Sequence, residues 1–165
     1  MKNLSFEKGR PSWNNNDILK ELENFIQLYE KRPIKNNKGG MLFPQMFYFY
    51  FILKKINPEL VIESGVYKGQ STWLIENTLP NAKIIALDID LSQREYISKK
   101  AFYSSKDFRF QNFSKIPNNT LVFFDDHVNH TERIIESKFF NIKNIVLEDN
   151  YQAGSGDFQT LKQLY

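Results

Sequence analysis

Four short apolar runs punctuate the chain from residue 59 onward, and each ends in acid. They are ELVIESG (59–65), AKIIALDID (82–90), TLVFFDDH (120–127) and KNIVLEDN (143–150). Their near-continuous apolar character predicts strands buried on both faces rather than the alternation of a half-solvated sheet. Between them, QSTWLIENTL (70–79), LSQREYISKKAFY (91–103) and HTERIIESKFF (130–140) have helical spacing, and DFRFQNF (107–113) reads as strand-like. Upstream, Ile18, Leu19, Leu22, Phe25, Ile26 and Tyr29 recur at helical intervals, with Asn16 or Asp17 as N-cap. RPIKNNKGG (32–40) is a loop on its turn residues, and MLFPQMFYFYFILKKI (41–56) is read as a buried helix, with a strand as the competing reading of its aromatics. Strands alternating with helices of about ten residues predict βαβ units. The fold class is α/β, a doubly wound, mostly parallel sheet.

Composition narrows this only a little. The 165 residues suffice for one domain, and 15 Phe with 8 Tyr point to an aromatic core or cleft. A net charge of +3 with scattered lysines argues for no nucleic acid. There is no Cys, which removes disulfides and thiolate metal sites. The first sixteen residues are polar, without a leader, and the longest apolar run holds a Pro and is too short for a bilayer. The expectation is a cytoplasmic protein with no membrane partner, organised as an N-terminal arm and helices (1–57) capping a ligand-binding unit (58–165).

The acids change the picture more. Glu63, Asp88 with Asp90, Asp125 with Asp126, and Glu148 with Asp149 follow the four runs. In an open parallel sheet, ligands bind at the carboxyl ends of the strands, so this rim gathers like charge that calls for a cationic ligand or a metal ion. The turn GVYKGQ places Gly65 and Gly69 where tight backbone is needed, yet it lacks the G-x-G-x-x-G spacing and the lysine of a phosphate loop. Glu63 would repel a pyrophosphate there. S-adenosylmethionine, with an ammonium, a sulfonium and no phosphate, suits such a rim, with its carboxylate toward the helix N-terminus and Ser71.

The segments ESGVYKGQS and ALDID resemble the cofactor signature of class I S-adenosylmethionine-dependent methyltransferases. LVFFDDH and VLEDN are similar to the metal-binding strand ends of small-molecule O-methyltransferases of the catechol type, and more so to their cephalosporin-hydroxylase-like and sugar-methylating relatives. The resemblance covers residues 58–165 and implies a Rossmann-like sheet. It implies that Glu63, Gly65, Tyr67, Gly69 and Ser71 hold the methionine part, Asp88 the ribose, and Ile89 and Asn112 the adenine. It implies a divalent cation, Mg²⁺ foremost, on Asp125 or Asp126, Glu148, Asp149 and Asn150, all oxygen donors. Asp125 and His127 are the catalytic candidates, His127 as base with His130 beside it; the lysine common in this loop of catechol-type enzymes is missing. The acceptor implied is a small hydroxylated molecule, a sugar or diol. NYQAGSGDF (150–158) reads as a flexible loop able to serve as a lid, followed by a helix with Asp157 as N-cap and Phe158, Leu161 and Leu164 on one face.

The family's sheet continues into an antiparallel hairpin that this sequence lacks, which suggests a truncation or a compact variant completed as a homo-oligomer. Two other readings remain open at this stage. One is a non-catalytic S-adenosylmethionine-binding or assembly module. The other is a haloacid-dehalogenase-like phosphatase, with Asp88 as nucleophile and Asp90 as acid in IIALDIDLS.

Overall fold

The structure is a computed structural model that describes residues 6–7, 10–11 and 13–164. Half of the predicted polar arm lies outside the described residues; within it, β1 (Phe6–Glu7) pairs antiparallel with β2 (Arg10–Pro11). Then follow α1 (Asn15–Tyr29), α2 (Phe43–Ile56), β3 (Leu60–Ser64), α3 (Gln70–Thr78), β4 (Lys83–Leu87), β5 (Ala101–Ser104), β6 (Thr120–Phe124), α4 (His130–Phe139) and β7 (Asn144–Leu147). The last five strands form one parallel sheet in the order β5-β4-β3-β6-β7. The chain winds outward from β3 in both directions, so the strand order reverses beside β3, where such sheets open a crevice for ligands.

Each face of the sheet has its own core. Val61, Ile84, Leu121 and Phe123 pack under α1, α2 and α3, where Phe25, Phe49, Leu53, Trp73 and Leu74 are buried. Phe49 stacks on Phe123 with ring centroids 4.1 Å apart, and Phe25 meets Phe43, Phe47 and Tyr50. This is where much of the aromatic content resides. On the opposite face Leu60, Ile62, Leu87, Val122 and Phe124 pack against Phe108, Phe113 and Ile142.

Two helix boundaries follow ordinary chemistry. Asn14, not Asn16 or Asp17, caps α1: its side chain accepts from the Asn16 and Asp17 amides while Asp17 accepts from the Asn14 amide, a reciprocal box. Pro44 sits in the first turn of α2, and Asn57 ends it in the left-handed region at φ 47°. Among the described residues no helix is long and apolar enough to cross a membrane.

The predicted helix over 91–103 is absent. Only a 3-10 turn (Leu91–Gln93) forms, followed by irregular chain and β5. The reason is where the backbone donors go: the amides of Glu95 and Tyr96 both bond the Lys68 carbonyl, and Ser98 accepts from the amides of Lys100 and Ala101. Nor is DFRFQNF a strand. Asp107 caps a single 3-10 turn (Phe108–Phe110), which buries Phe108 against Phe124 and leaves Phe110 exposed.

Candidate active site

Hydrogen bonds between strand exits carry the sheet's register past its ends. Gly65 donates to the Leu87 carbonyl, Asp125 to Ser64, and Glu148 to Phe124. The acids following β4, β6 and β7 are thereby held along one rim. Above it lies a cavity of about 340 Å³ lined by the Gly39–Gly40 turn, Ser64, Gly65, Tyr67, Asp88, Ile89, Asp90, Gln93, Asp107, Asp125, Asp126, His127 and Val128. No Lys or Arg is among these lining residues.

The glycine turn shapes its floor. Gly65 has φ 95°, and a Cβ there would stand 2.0 Å from the Asp125 carbonyl oxygen. Gly69 begins α3 at φ 90°, where a Cβ would stand 2.4 Å from the Tyr96 carbonyl oxygen. Asp88 ties the turn to β4: one carboxylate oxygen accepts from the Val66 and Tyr67 amides at 2.8 and 2.9 Å, the other from the Asp90 amide at 2.9 Å. Tyr67 lines the cavity and donates its hydroxyl to the Lys38 carbonyl. The α1–α2 connection thus lies over the turn, and the glycines at 39 and 40, read from the sequence only as loop residues, become part of the wall.

Three residues assigned to the cofactor from the resemblance, Glu63, Ser71 and Asn112, are placed otherwise. Glu63 shares strand parity with Val61, so it points toward α3 and away from the cavity. It is wholly buried; one oxygen accepts from Thr72 at 2.5 Å and the other has no hydrogen-bond partner. Ser71 and Gln70 are buried in the first turn of α3 and line a small adjoining gap with Asn37. Asn112 lies outside the cavity, in a depression beside Phe102 and Phe113, with its side chain accepting from the Ser114 amide. The cause is the missing strand at 107–113: the short turn brings Asp107 to the cavity instead. Asp107 had no sequence signal beyond its position ahead of that turn.

Burial raises the Glu63 carboxyl to about 8, with hydrogen bonds from Ser71 and Thr72 opposing and the charges of Asp125 and Asp88 adding. An acid whose folded pKa lies above its unfolded value binds more protons when folded. Stability therefore falls as pH rises from about 4.5 through about 8. Glu63→Gln, which keeps the shape and a partner for Thr72, is expected to flatten that decline. Melting temperatures of both proteins between pH 5 and 9 test this, and parallel profiles would refute it.

The metal-ligand candidates also divide. Ligand atoms of Asp125, His127 and Asp149 lie within 4.8 Å of one another. Asp126 is committed elsewhere: it accepts from Ser64 at 2.5 Å and pairs with the buried Arg133 at 2.8 Å. Asn150 accepts from the Lys162 amide. Glu148 turns to a second cavity, of about 380 Å³, walled by Met41, Tyr48, Phe49, Ile52, Phe123, Val146 and Tyr151 and also touched by Asp149. Burial and the neighbouring acids hold the Glu148 carboxyl well above the usual range, and they raise Asp125 to about 7. Tyr67, His127 and Asp149 are three of the five non-glycine residues with positive φ among those described, so backbone strain gathers here.

The chain after β7 is tied down rather than helical from Asp157. Asp157 meets His127 Nδ1 at 2.7 Å, the His130 amide donates to the Gln159 carbonyl, and Leu161 donates its amide to His130 Nδ1. The backbone forms only a 3-10 segment at Leu161–Leu164. His130 is buried with its pKa lowered by desolvation, which makes it part of this joint. The phosphatase reading needs Asp90 as an acid. That carboxyl is engaged in capping the 91–93 turn, accepting from the Ser92 amide and hydroxyl and from Gln93, which pull it down to about 2.

Comparison with solved structures settles the fold. CmcI in a form described with SAH superposes with a TM-score of 0.59 at 17% identity, over 73% of this chain and 68% of that one. The chain has the class I methyltransferase fold. SAH-bound PaMTH1 of Podospora anserina, a methyltransferase, matches at TM-score 0.56 and 12% identity, over 82% of this chain and 62% of its own. A candidate O-methyltransferase from Klebsiella pneumoniae matches at 0.55 and 12%, over 93% and 74%. No family model and no curated protein matches the sequence.

Proposed function

We propose that the chain binds S-adenosylmethionine in the cavity over the glycine turn and transfers its methyl group to a hydroxyl of a small molecule held in the second cavity. One observation carries this reading: five aspartates, of which only Asp107 and Asp126 are paired with the buried Arg133, and no Lys or Arg line a cavity at the switch point of a methyltransferase sheet. Such a lining suits a ligand with sulfonium and ammonium charges and opposes one bearing phosphates. The cavity's volume falls in the range of small-molecule sites. The unpartnered buried oxygens of Gln70 and Asn37, both bordering the adjoining gap, are further acceptors for an ammonium group.

S-adenosylmethionine supplies the electrophilic methyl group, and a divalent cation supplies Lewis acidity for the acceptor hydroxyl. The chain's own residues do the positioning. Asp88, at the end of β4, stands where the ribose hydroxyls of a nucleoside would be met, beside the exposed Ile89. Asp125 and His127 border the first cavity while Asp149 borders the second, so these three groups mark the boundary across which transfer would occur. The second cavity has apolar and aromatic walls with no Lys or Arg among its lining residues, which favours a neutral acceptor over a carboxylate or phosphate.

Calorimetric titration of the protein with S-adenosylmethionine and, separately, ATP tests the reading. Micromolar binding of the first and none of the second is expected. Asp88→Asn should weaken the first roughly tenfold, through loss of a charged acceptor. Absence of S-adenosylmethionine binding to folded wild-type protein would overturn it.

A further inference from the structure

Oxygen donors alone would suit Mg²⁺, but the structure replaces three of the expected oxygen donors by a ring nitrogen. Asp126 and Asn150 are held by Arg133 and Lys162, and Glu148 faces the second cavity. His127 stands with Asp125 and Asp149 instead.

The orientation of that ring is set from outside the cluster. Its Nδ1 lies 2.7 Å from the Asp157 carboxylate, and its Nε2 faces Asp149 at 3.6 Å. With Nδ1 turned to Asp157, Nε2 is the nitrogen that faces Asp149 and the one a metal ion would take in place of its proton. A separation of 3.6 Å is too long for a hydrogen bond. It is close to the roughly 3.0–3.5 Å expected between two ligands about 2.1–2.2 Å from one ion. A carboxylate gripping the far nitrogen of a histidine is the usual outer support of a metal-bound imidazole. Asp125 strengthens the case: its half-buried carboxylate has no hydrogen-bond donor among the described residues. His127 and Asp157 are both more than half exposed at their side chains, so an ion has a route in.

Resting on the methyl-transfer reading only for what the cation does, we propose that Asp125, His127 and Asp149 bind a divalent first-row transition metal such as Mn²⁺ or Fe²⁺ in preference to Mg²⁺, with Asp157 as the positioning residue of His127. The mixed nitrogen–oxygen donor set is the chemical ground, since imidazole favours these ions over the hard, oxygen-seeking Mg²⁺ and Ca²⁺. His127 is then a ligand rather than a free base, and its Nε2 is not available to take the acceptor's proton.

Titration of metal-free protein with Mn²⁺ and with Mg²⁺, combined with pulsed electron paramagnetic resonance of the Mn²⁺ form, tests this. Mn²⁺ should bind roughly tenfold or more tightly than Mg²⁺ and should show coupling to an imidazole nitrogen. His127→Ala should abolish the coupling and the preference. Asp157→Ala should weaken Mn²⁺ by roughly 10- to 100-fold with the melting temperature of the metal-free protein unchanged. Equal affinities for the two ions without nitrogen coupling, or wild-type Mn²⁺ affinity in His127→Ala, would overturn the assignment. Retained S-adenosylmethionine binding beside such a failure would sink the metal assignment alone. The nitrogen signal without S-adenosylmethionine binding would sink the methyl-transfer reading alone.

Discussion

Replacing Arg133 by methionine is expected to destabilise the protein by roughly 3–5 kcal/mol, the scale for breaking a buried ion pair from one side. Arg133 lies on α4 with no exposed surface, and its guanidinium meets Asp107 at 2.6 and 3.1 Å, Glu136 at 2.7 Å and Asp126 at 2.8 Å. The rings of Phe108 and Phe124 flank it. Methionine fills part of the volume and leaves these carboxylates without their shared cation; Arg109, at 3.3 Å from Asp107 and 3.1 Å from Glu136, compensates only in part from the surface.

The pH dependence gives the prediction a signature. Burial alone would raise Asp107, but the hydrogen bond and charge of Arg133 outweigh it and lower the pKa. A carboxyl depressed in the folded state contributes stability above its unfolded pKa and loses it as pH falls through the folded value. The deficit of Arg133→Met should therefore be largest near neutrality and shrink in acid. Chemical denaturation at pH 7 and at a pH well below 3.8 measures it, because the window lies between the ordinary carboxyl value and the depressed folded one, and a pH-independent deficit would mean that lost packing, not lost charge, is responsible. Because Asp107 and Asp126 both border the first cavity, S-adenosylmethionine affinity should fall along with stability.

The second large effect is expected at Gly65, where alanine should cost roughly 3 kcal/mol or more, from overpacking added to positive-φ strain. Its Cβ would meet the Asp125 carbonyl oxygen at 2.0 Å and the carbonyl carbon at 2.4 Å, and both are backbone atoms that no rotamer change can move. Relief requires parting the end of β3 from the exit of β6, which displaces Asp125 itself. Gly154 is the control. It also has positive φ, but a Cβ there meets nothing within 4 Å, so alanine should cost only about 1 kcal/mol of strain. Melting temperatures of both variants decide the matter, and equal small losses would show that the turn can give way.

Much of the architecture was legible in the sequence because parallel strands covered on both faces must be apolar along their whole length. ELVIESG, AKIIALDID, TLVFFDDH and KNIVLEDN all became strands, and the glycine turn after the first fell at the switch point. Even the direction of Glu63 was implicit in the chain, since alternation puts it on the side of Val61. The helix expected over 91–103 was not decidable locally, because its amides find the Lys68 carbonyl, which only the folded sheet brings near. Nor did any pattern announce the inward face of α4. His130, Arg133 and Ser137 are buried there while Ile135 and Phe139 are exposed, the reverse of what an amphipathic reading assigns. An arginine on a helix ordinarily reads as solvated, so nothing hinted that Asp126 already had a cation.

By itself, then, the sequence determined the strands, the glycine turn and the acidic rim, for these depend on residue type and spacing along a few neighbouring positions. Only the tertiary structure decided which acids remain free for a ligand. A polar side chain's role depends on the charge, donor or acceptor that faces it, and for Asp126, Asn150 and His127 those partners stand seven, twelve and thirty residues away.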